Sequence, residues 1–130
     1  MADSIELELA TPERAMVSEQ VTDVQIPGRD GYLGILPGHA ALLGLLGTGL
    51  LAYTASGGKR YLAIQGGFVE VSEDHVRVLA DIAEPAGEID VAAAQADLSR
   101  AQAEETGADP EAALIAVALA QARIETARHA

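Results

Sequence analysis

The sequence predicts a β + α protein: an N-terminal antiparallel β-sandwich followed by a C-terminal antiparallel α-helical hairpin. Three observations predict it. Apolar residues recur at every second position through residues 1–86. Alanine, the best helix former, dominates residues 87–130, where Gly107 and Pro110 make the one internal break. The joint DIAEPAGEI, residues 81–89, places Pro85 and Gly87 where both periods stop. Two units follow, a sandwich over 1–86 and a hairpin over 87–130.

The strands read in order. Ile5, Leu7 and Leu9 alternate with Glu6 and Glu8, and Thr22, Val24 and Ile26 repeat the pattern up to Pro27-Gly28. Tyr53 and Ala55 lead into Ser56-Gly57-Gly58-Lys59, a tight hairpin, and Arg60, Leu62 and Ile64 run back. Gly66-Gly67 punctuates. Val69 and Val71 follow, Ser72-Glu73-Asp74 reverses the chain, and Val76, Val78 and Ala80 alternate again.

The helices carry their own stop signs. Asp90 caps a helix from Val91, and Thr106-Gly107 ends it with Gly in a left-handed cap. Asp109 caps a second helix with Pro110 at its first position and Glu111 in its first turn. Val91, Ala94, Leu98 and Ala101 form a small-residue seam facing Ala113, Val117, Ala120, Ile124 and Ala127. Leu114, Ile115 and Leu119 fall off that seam and require a second surface, the sandwich or another subunit.

Composition excludes several functions. With 8 Lys and Arg against 20 Asp and Glu, the net charge is −12. That argues against nucleic acid, whose binders neutralise phosphates with clustered cations, and against docking on anionic lipid. The uncharged stretches 40–53 and 112–120 are too short for a membrane span, so no direct membrane insertion is expected. The start MADSIELELA has neither a basic n-region nor an apolar h-region, so it does not read as a signal peptide. The absence of cysteine removes disulfides and thiolate metal sites.

The segment GYLGILPGHA, residues 31–40, belongs to a run rich in glycine and poses the question of a phosphate loop. Gly58-Lys59 lacks the Walker A spacing, and Gly47-Thr48-Gly49 with Ala52 resembles GxGxxA but is followed by a strand pattern. His39, His75 and His129 lack metal-ligand spacing. His75 reads as a solvated turn residue and His129 as a frayed end. His39 reads as a turn residue or a partner contact. No nucleophile, base and orienting group stand in an activating pattern, so a small β-sandwich enzyme is a remote reading and no catalytic or metal residue is assigned. The remaining reading is a stack of turns. Gly31 and Gly34 are expected to supply positive φ or close backbone approach, and Pro37 places the segment at a sheet edge or in a loop. Tyr32, Leu33, Ile35 and Leu36 are then exposed as a docking patch.

Two long motifs add a resemblance. IPGRDGYLGILPGHAALLGLLGTG, residues 26–49, and GGFVEVSEDHVRVLAD, residues 66–81, resemble the two signatures of the epsilon subunit of the F-type ATP synthase, with Ala41 where Pro is usual. The resemblance implies a flattened sandwich of about ten strands plus a hairpin. It implies a non-catalytic rotor subunit of the central stalk that couples proton flow to ATP synthesis. Its implied partners are the gamma subunit, the c-subunit ring and, through a regulatory hairpin that inhibits ATP hydrolysis, the alpha/beta catalytic head. Arg29, Asp30, Tyr32, Leu33, Ile35, Leu36 and His39 would face gamma and the ring. The implied location is peripheral, on the cytoplasmic face of the bacterial plasma (inner) membrane. Glu84, Asp90 and Arg100 match positions of nucleotide contact in some relatives, which is the alternative reading as an ATP-sensing module. The motif arginine is Ala93 here. Losing one guanidinium removes ~1.5–3 kcal/mol from an anion site, so no cofactor is expected. The hairpin offers only Arg100, Arg123 and Arg128 against seven acids, so inhibition through an acidic head is expected to be poor.

Overall fold

The computed structural model describes residues 3–130. Met1 and Ala2, the first residues of the 1–86 unit and of the stretch read for a signal peptide, lie outside the described residues. Eight strands and two helices follow: β1 Ile5–Ala10, β2 Ala15–Val21, β3 Asp23–Gly28, β4 Gly31–Ile35, β5 Leu42–Leu45, β6 Thr48–Ala55, β7 Gly58–Ser72, β8 His75–Pro85, α1 Val91–Ala103 and α2 Pro110–Ala127. A short 3-10 turn, Ala86–Glu88, joins β8 to α1. The strand count is eight rather than about ten.

The strands hydrogen-bond in the order β2-β1-β8-β7-β6-β3-β4, with β5 also on β7. All pairs are antiparallel except β1 with β8, which run parallel. The period-two residues behave as their pattern requires. Ile5, Leu7, Leu9, Val24, Ile26, Leu51, Ile64, Val69, Val71, Val76 and Val78 are all at most 2 % exposed and form one core. One backbone bond and one side-chain bond close the sandwich across its edge. Thr22 N–H donates to the Thr54 carbonyl, and Tyr53 Oη donates to Glu19 Oε2 at 2.9 Å.

Gly66-Gly67 does not end a strand. Both residues sit inside the single 15-residue β7, where Gln65 pairs with Ile82 and Gly67 with Ala80, so the register with β8 runs through the glycines with no residue inserted. Gly67 has φ +104°, and a methyl group there would be driven into the Leu79 carbonyl. One strand serves two partners on the same side. Residues 58–65 pair with β6, and residues 68–71 pair with β5.

The helix signals hold, with one exception. Asp90 accepts from Ala93 N–H at 3.0 Å and Asp109 from Ala112 N–H at 3.1 Å. Gly107 is not in a left-handed cap; α1 stops at Ala103, Glu104 is the right-handed cap residue, and Gly107 N–H donates to the Glu104 carbonyl at 2.9 Å. Helix α2 lies between α1 and the sheet, against β6 and β7. It is therefore buried along two stripes: Ala113, Val117 and Ala120 on one side, Ala122 and Thr126 on the other. The seam of α1 reduces to Ala94 and Ala101, because Val91 is 40 % exposed. On the outer face of the sheet Ala52 and Ala63 are buried, and their small size lets the helix approach closely.

The two glycine classes separate in a stability measurement. Gly67→Ala is expected to cost ~3 kcal/mol or more, through a clash with backbone at a positive φ. Gly34→Ala, which meets nothing within 4 Å, is expected to stay within ~0.5 kcal/mol. Urea unfolding of both variants checks the contrast.

Candidate functional site

The glycine-rich segment is an edge strand and a turn. Gly31–Ile35 is β4, at the open end of the sheet, and only residues 36–39 turn, with His39 N–H on the Leu36 carbonyl at 3.1 Å. Gly31 has φ +136°, whereas Gly34 has no positive φ. Strand alternation also corrects the expected docking patch. Ile35 is 1 % exposed and belongs to the core, and Leu33 is half-buried against it. Tyr32 and Leu36 are exposed. The Tyr32 hydroxyl accepts from Leu50 N–H at 3.1 Å, which fixes the ring as a rigid aromatic surface. Arg29, Asp30 and His39 are exposed, and the His39 ring lies 2.6 Å from the Ala40 carbonyl through Nδ1.

A larger apolar surface lies elsewhere. Leu43, Leu45 and Phe68 are 71 %, 56 % and 42 % exposed, and Leu45 pairs with Phe68 across β5 and β7. With Gly44 they line a shallow depression of 460 Å³. The sequence conceals it. Inside the uncharged run 40–53 every residue reads as core, and only the strand phase, Leu42 and Gly44 inward against Leu43 and Leu45 outward, separates the two faces.

The three residues matched to nucleotide contacts are already engaged. Glu84 binds Arg123 through two bonds, Nε to Oε1 at 2.7 Å and Nη2 to Oε2 at 3.4 Å. Asp90 caps α1. Arg100 pairs with Asp97 at 3.2 Å. Arg123 also reaches Asp97 at 3.4 Å, so one guanidinium ties α2 to the end of β8 and to α1. Hydrogen bonding to Glu84 pushes its pKa above the usual arginine value. Between the helices, Asp97, Arg100, Glu104, Leu119 and Arg123 line a groove of 240 Å³.

Other polar groups were invisible in the sequence. The parallel β1–β8 pairing brings His75 Nε2 to 3.2 Å from Glu8 and Arg77 Nε to 3.2 Å from the same carboxylate. His75 is therefore half-buried at the start of β8, not in a solvated turn. These bonds, His75 first, pull the Glu8 carboxyl below its usual range. Glu6, Glu8 and His75 place three metal-type donor atoms within 4.8 Å of one another, but Arg77 already supplies a cation to Glu8. Burial, then the Glu19 hydrogen bond, pushes the Tyr53 hydroxyl up to about 12. His129 is not frayed; its ring stacks on Tyr61 with centroids 4.0 Å apart.

The fold and surfaces define a class: a β-sandwich with an exposed apolar face and a helical hairpin docked against β6 and β7 by small residues and one arginine. Comparison with known proteins agrees. The family described as ATP synthase, Delta/Epsilon chain, beta-sandwich domain matches residues 4–86. The ATP synthase epsilon chain of Solibacter usitatus is 58 % identical over 131 residues, covering 98 % of each chain. That of Desulfitobacterium hafniense is 39 % identical over 132 residues, covering 99 % of this chain and 100 % of the relative. Among solved structures, a chain of the Euglena gracilis mitochondrial ATP synthase, from its OSCP/F1/c-ring structure, superposes with TM-score 0.80 at 28 % identity, covering 99 % of this chain and 82 % of the other. A chain of the Tetrahymena thermophila central stalk and c-ring shares the fold, with TM-score 0.56 at 18 % identity and coverage of 96 % and 94 %. The chain belongs to the ATP synthase epsilon chain family and is a non-catalytic subunit of that complex. No helix of the described residues is long and apolar enough to cross a membrane.

Docking of the hairpin rests on few contacts, and two substitutions move it in opposite directions. Arg123→Met strips a two-bond partner from Glu84 and is expected to weaken docking by ~1–3 kcal/mol. The Thr126 hydroxyl is fully buried and has no hydrogen-bond partner. Thr126→Val removes that orphan and is expected to strengthen docking by ~1 kcal/mol. Amide hydrogen exchange of α2 reads both, faster in the first and slower in the second.

Proposed function

We propose that the chain works in the rotor of the ATP synthase central stalk. There it helps to couple proton flow through the membrane ring to ATP synthesis in the catalytic head. The sandwich, residues 1–86, holds the gamma subunit and rests on the c-subunit ring. The hairpin, residues 87–130, is a regulatory element that meets the alpha/beta head when undocked. The chain then sits peripherally on the cytoplasmic face of the bacterial plasma membrane.

The observation that carries this reading is the exposed face of Leu43, Leu45 and Phe68. A contiguous apolar surface on a chain with net charge −12 is a mark of a protein interface. The exposed Tyr32 and Leu36 offer a second contact, and Arg29, Asp30 and His39 its polar rim. The 28 % identical neighbour from an F1/c-ring structure supports the same setting. The hairpin role is supported by its small docking interface, since two packings separated by a few kcal/mol make a switch.

A second reading, an ATP-sensing module, draws support from the groove between α1 and α2, which presents Arg100 and Arg123. It faces an obstacle in Ala93 and in the carboxylates that already hold both arginines. Isothermal titration with ATP discriminates; the stalk reading alone expects no resolvable heat.

Purification of the tagged chain from membranes tests the main reading. Gamma and the alpha/beta subunits are expected to co-purify. Leu43→Asp with Leu45→Asp is expected to cut gamma recovery at least ~10-fold, the scale of an interface hot spot. Wild-type recovery by that variant overturns the assignment of the face. Removing residues 88–130 is expected to raise ATP hydrolysis of the assembled head less than severalfold, because the hairpin carries so few cations.

A further inference from the structure

The loop after β4 carries the exposed Leu36 and His39, and few bonds hold it. Leu36 to His39 form a tight turn, closed by His39 N–H on the Leu36 carbonyl at 3.1 Å. Pro37 stands second and Gly38 third, at φ +87°, the order that a type II turn favours. The bond of the His39 ring is also local, to the Ala40 carbonyl. The turn's own bond leaves the Gly38 N–H unused, and that N–H donates to Asp74 Oδ1 at 2.6 Å. Among the described residues it is the one hydrogen bond that ties residues 37–40 to a distant part of the chain. It joins the first long sequence motif, residues 26–49, to the second, residues 66–81.

Asp74 lies in the two-residue turn between β7 and β8. Ser72 pairs with His75, and between them Glu73 and Asp74 have φ +49° and +60°. Among the described residues these are the only non-glycine positions at positive φ. Two such residues in a row favour asparagine and glycine. A glycine at 74 would suit the backbone better, so the aspartate side chain is kept at a cost to the turn. The turn is a firm anchor. The Asp74 carbonyl accepts from Glu6 N–H at 2.9 Å, where β1 begins to run beside β8. Asp74 is half-buried, and the ion pairs of Glu8 with His75 and Arg77 follow directly along the same two strands.

We propose that Asp74 is a positioning residue: through Gly38 it fixes residues 36–40, so that Leu36 and His39 meet the c-subunit ring in one arrangement. This rests on the reading of that loop as a contact of the rotor. Gamma is assigned the face of Leu43, Leu45 and Phe68, which leaves the ring for this second contact. A loop held in its bound form loses little freedom on docking, so the tether adds affinity. The strain at Glu73 and Asp74 then has a use, because a relaxed glycine turn would have no side chain to reach Gly38.

The test measures binding of the full-length tagged chain to membranes whose ATP synthase lacks it. Asp74→Gly suits the turn and removes the carboxylate. Its urea midpoint is expected to stay close to wild type, because relief of the turn and loss of the bond oppose each other. Amide exchange at Gly38 and His39 is expected to quicken, and binding to weaken about fivefold to tenfold as the competent loop becomes a minor population. Asp74→Asn keeps the oxygen and tolerates the same φ. It is expected to bind within about twofold of wild type, a rescue that sets the tether apart from the charge. Wild-type binding by Asp74→Gly, unchanged exchange at Gly38, or an Asn variant as weak as the Gly variant overturns the proposal. Leu36→Asp tests the contact itself, and a photo-reactive side chain at position 36 is expected to capture the c subunit. Wild-type binding by Leu36→Asp, or capture of gamma alone, overturns the contact with the ring and the positioning with it. Weak binding by Leu36→Asp beside wild-type binding by Asp74→Gly strikes the positioning alone.

Discussion

Residues 45–47 pass between two other backbone segments with no side chains to hold them apart. Gly47 N–H donates to the Pro27 carbonyl at 2.9 Å, and its own carbonyl accepts from Gly66 N–H at 3.0 Å. Leu46 N–H reaches the Gly67 carbonyl at 2.9 Å, and Leu45 accepts from Arg29 N–H. A methyl group on Gly47 would come to 2.7 Å from the Gly28 carbonyl oxygen. This contact binds β3, the β5–β6 junction and the Gly66-Gly67 step of β7 at one point. Without it β7 could not exchange β6 for β5 halfway along, and the sheet could not fold over its own core. The apolar face of Leu43, Leu45 and Phe68 exists because β5 is held beside the lower half of β7 by this junction.

The same junction explains what the sequence made legible. Strands with strict alternation, β1, β3 and β8, and helices with Asp caps were readable because their signals are local. β2, written AMVSEQV, and β5, LLGL, were not read, since neither alternates cleanly between polar and apolar residues. Close approach was expected at Gly31 or Gly34 but falls at Gly28, Gly47 and Gly67, because the segments that Gly47 and Gly67 admit lie distant from them in the chain. Leu33 and Ile35 were misplaced for the same reason. Their burial depends on β4 pairing with β3, where Val24 meets Ile35 and Ile26 meets Leu33. The long motifs pointed to the family although periodicity alone could not assign their faces.

Hairpin docking follows a different logic. The sandwich core is built from Leu, Ile and Val, while the surface between sheet and α2 is built mainly from Ala52, Ala63, Ala122 and Thr126. Alanine buries little area, so close approach replaces area as the source of contact. One buried hydroxyl without a partner subtracts from it, and Arg123 adds to it. The exposed Leu114 and Ile115, at 57 % and 53 %, show that docking on this sandwich leaves apolar helix surface uncovered. A helix that packs this lightly, and still offers apolar residues, is suited to leave the sheet for another surface.

Acidity ties these parts together. With 20 carboxylates for 8 cations, each arginine that pairs leaves many acids without a partner, so ion pairs mark places where geometry selects one carboxylate among many. Arg123 is the strongest such selection, since it is only 17 % exposed and meets Glu84 through two bonds. It spans a junction where sandwich, α1 and α2 all contribute charge. Arg77 does the equivalent for the parallel β1–β8 pair, where Glu8 would otherwise sit beside Glu6 on the same face. Arg29, Lys59 and Arg60 have no such carboxylate among the described residues, and the last two stand where β8 has ended and β7 has not. Arg14, Arg77 and Arg123 thus tie elements distant in the chain, while Arg100 and Arg128 pair locally, three residues back.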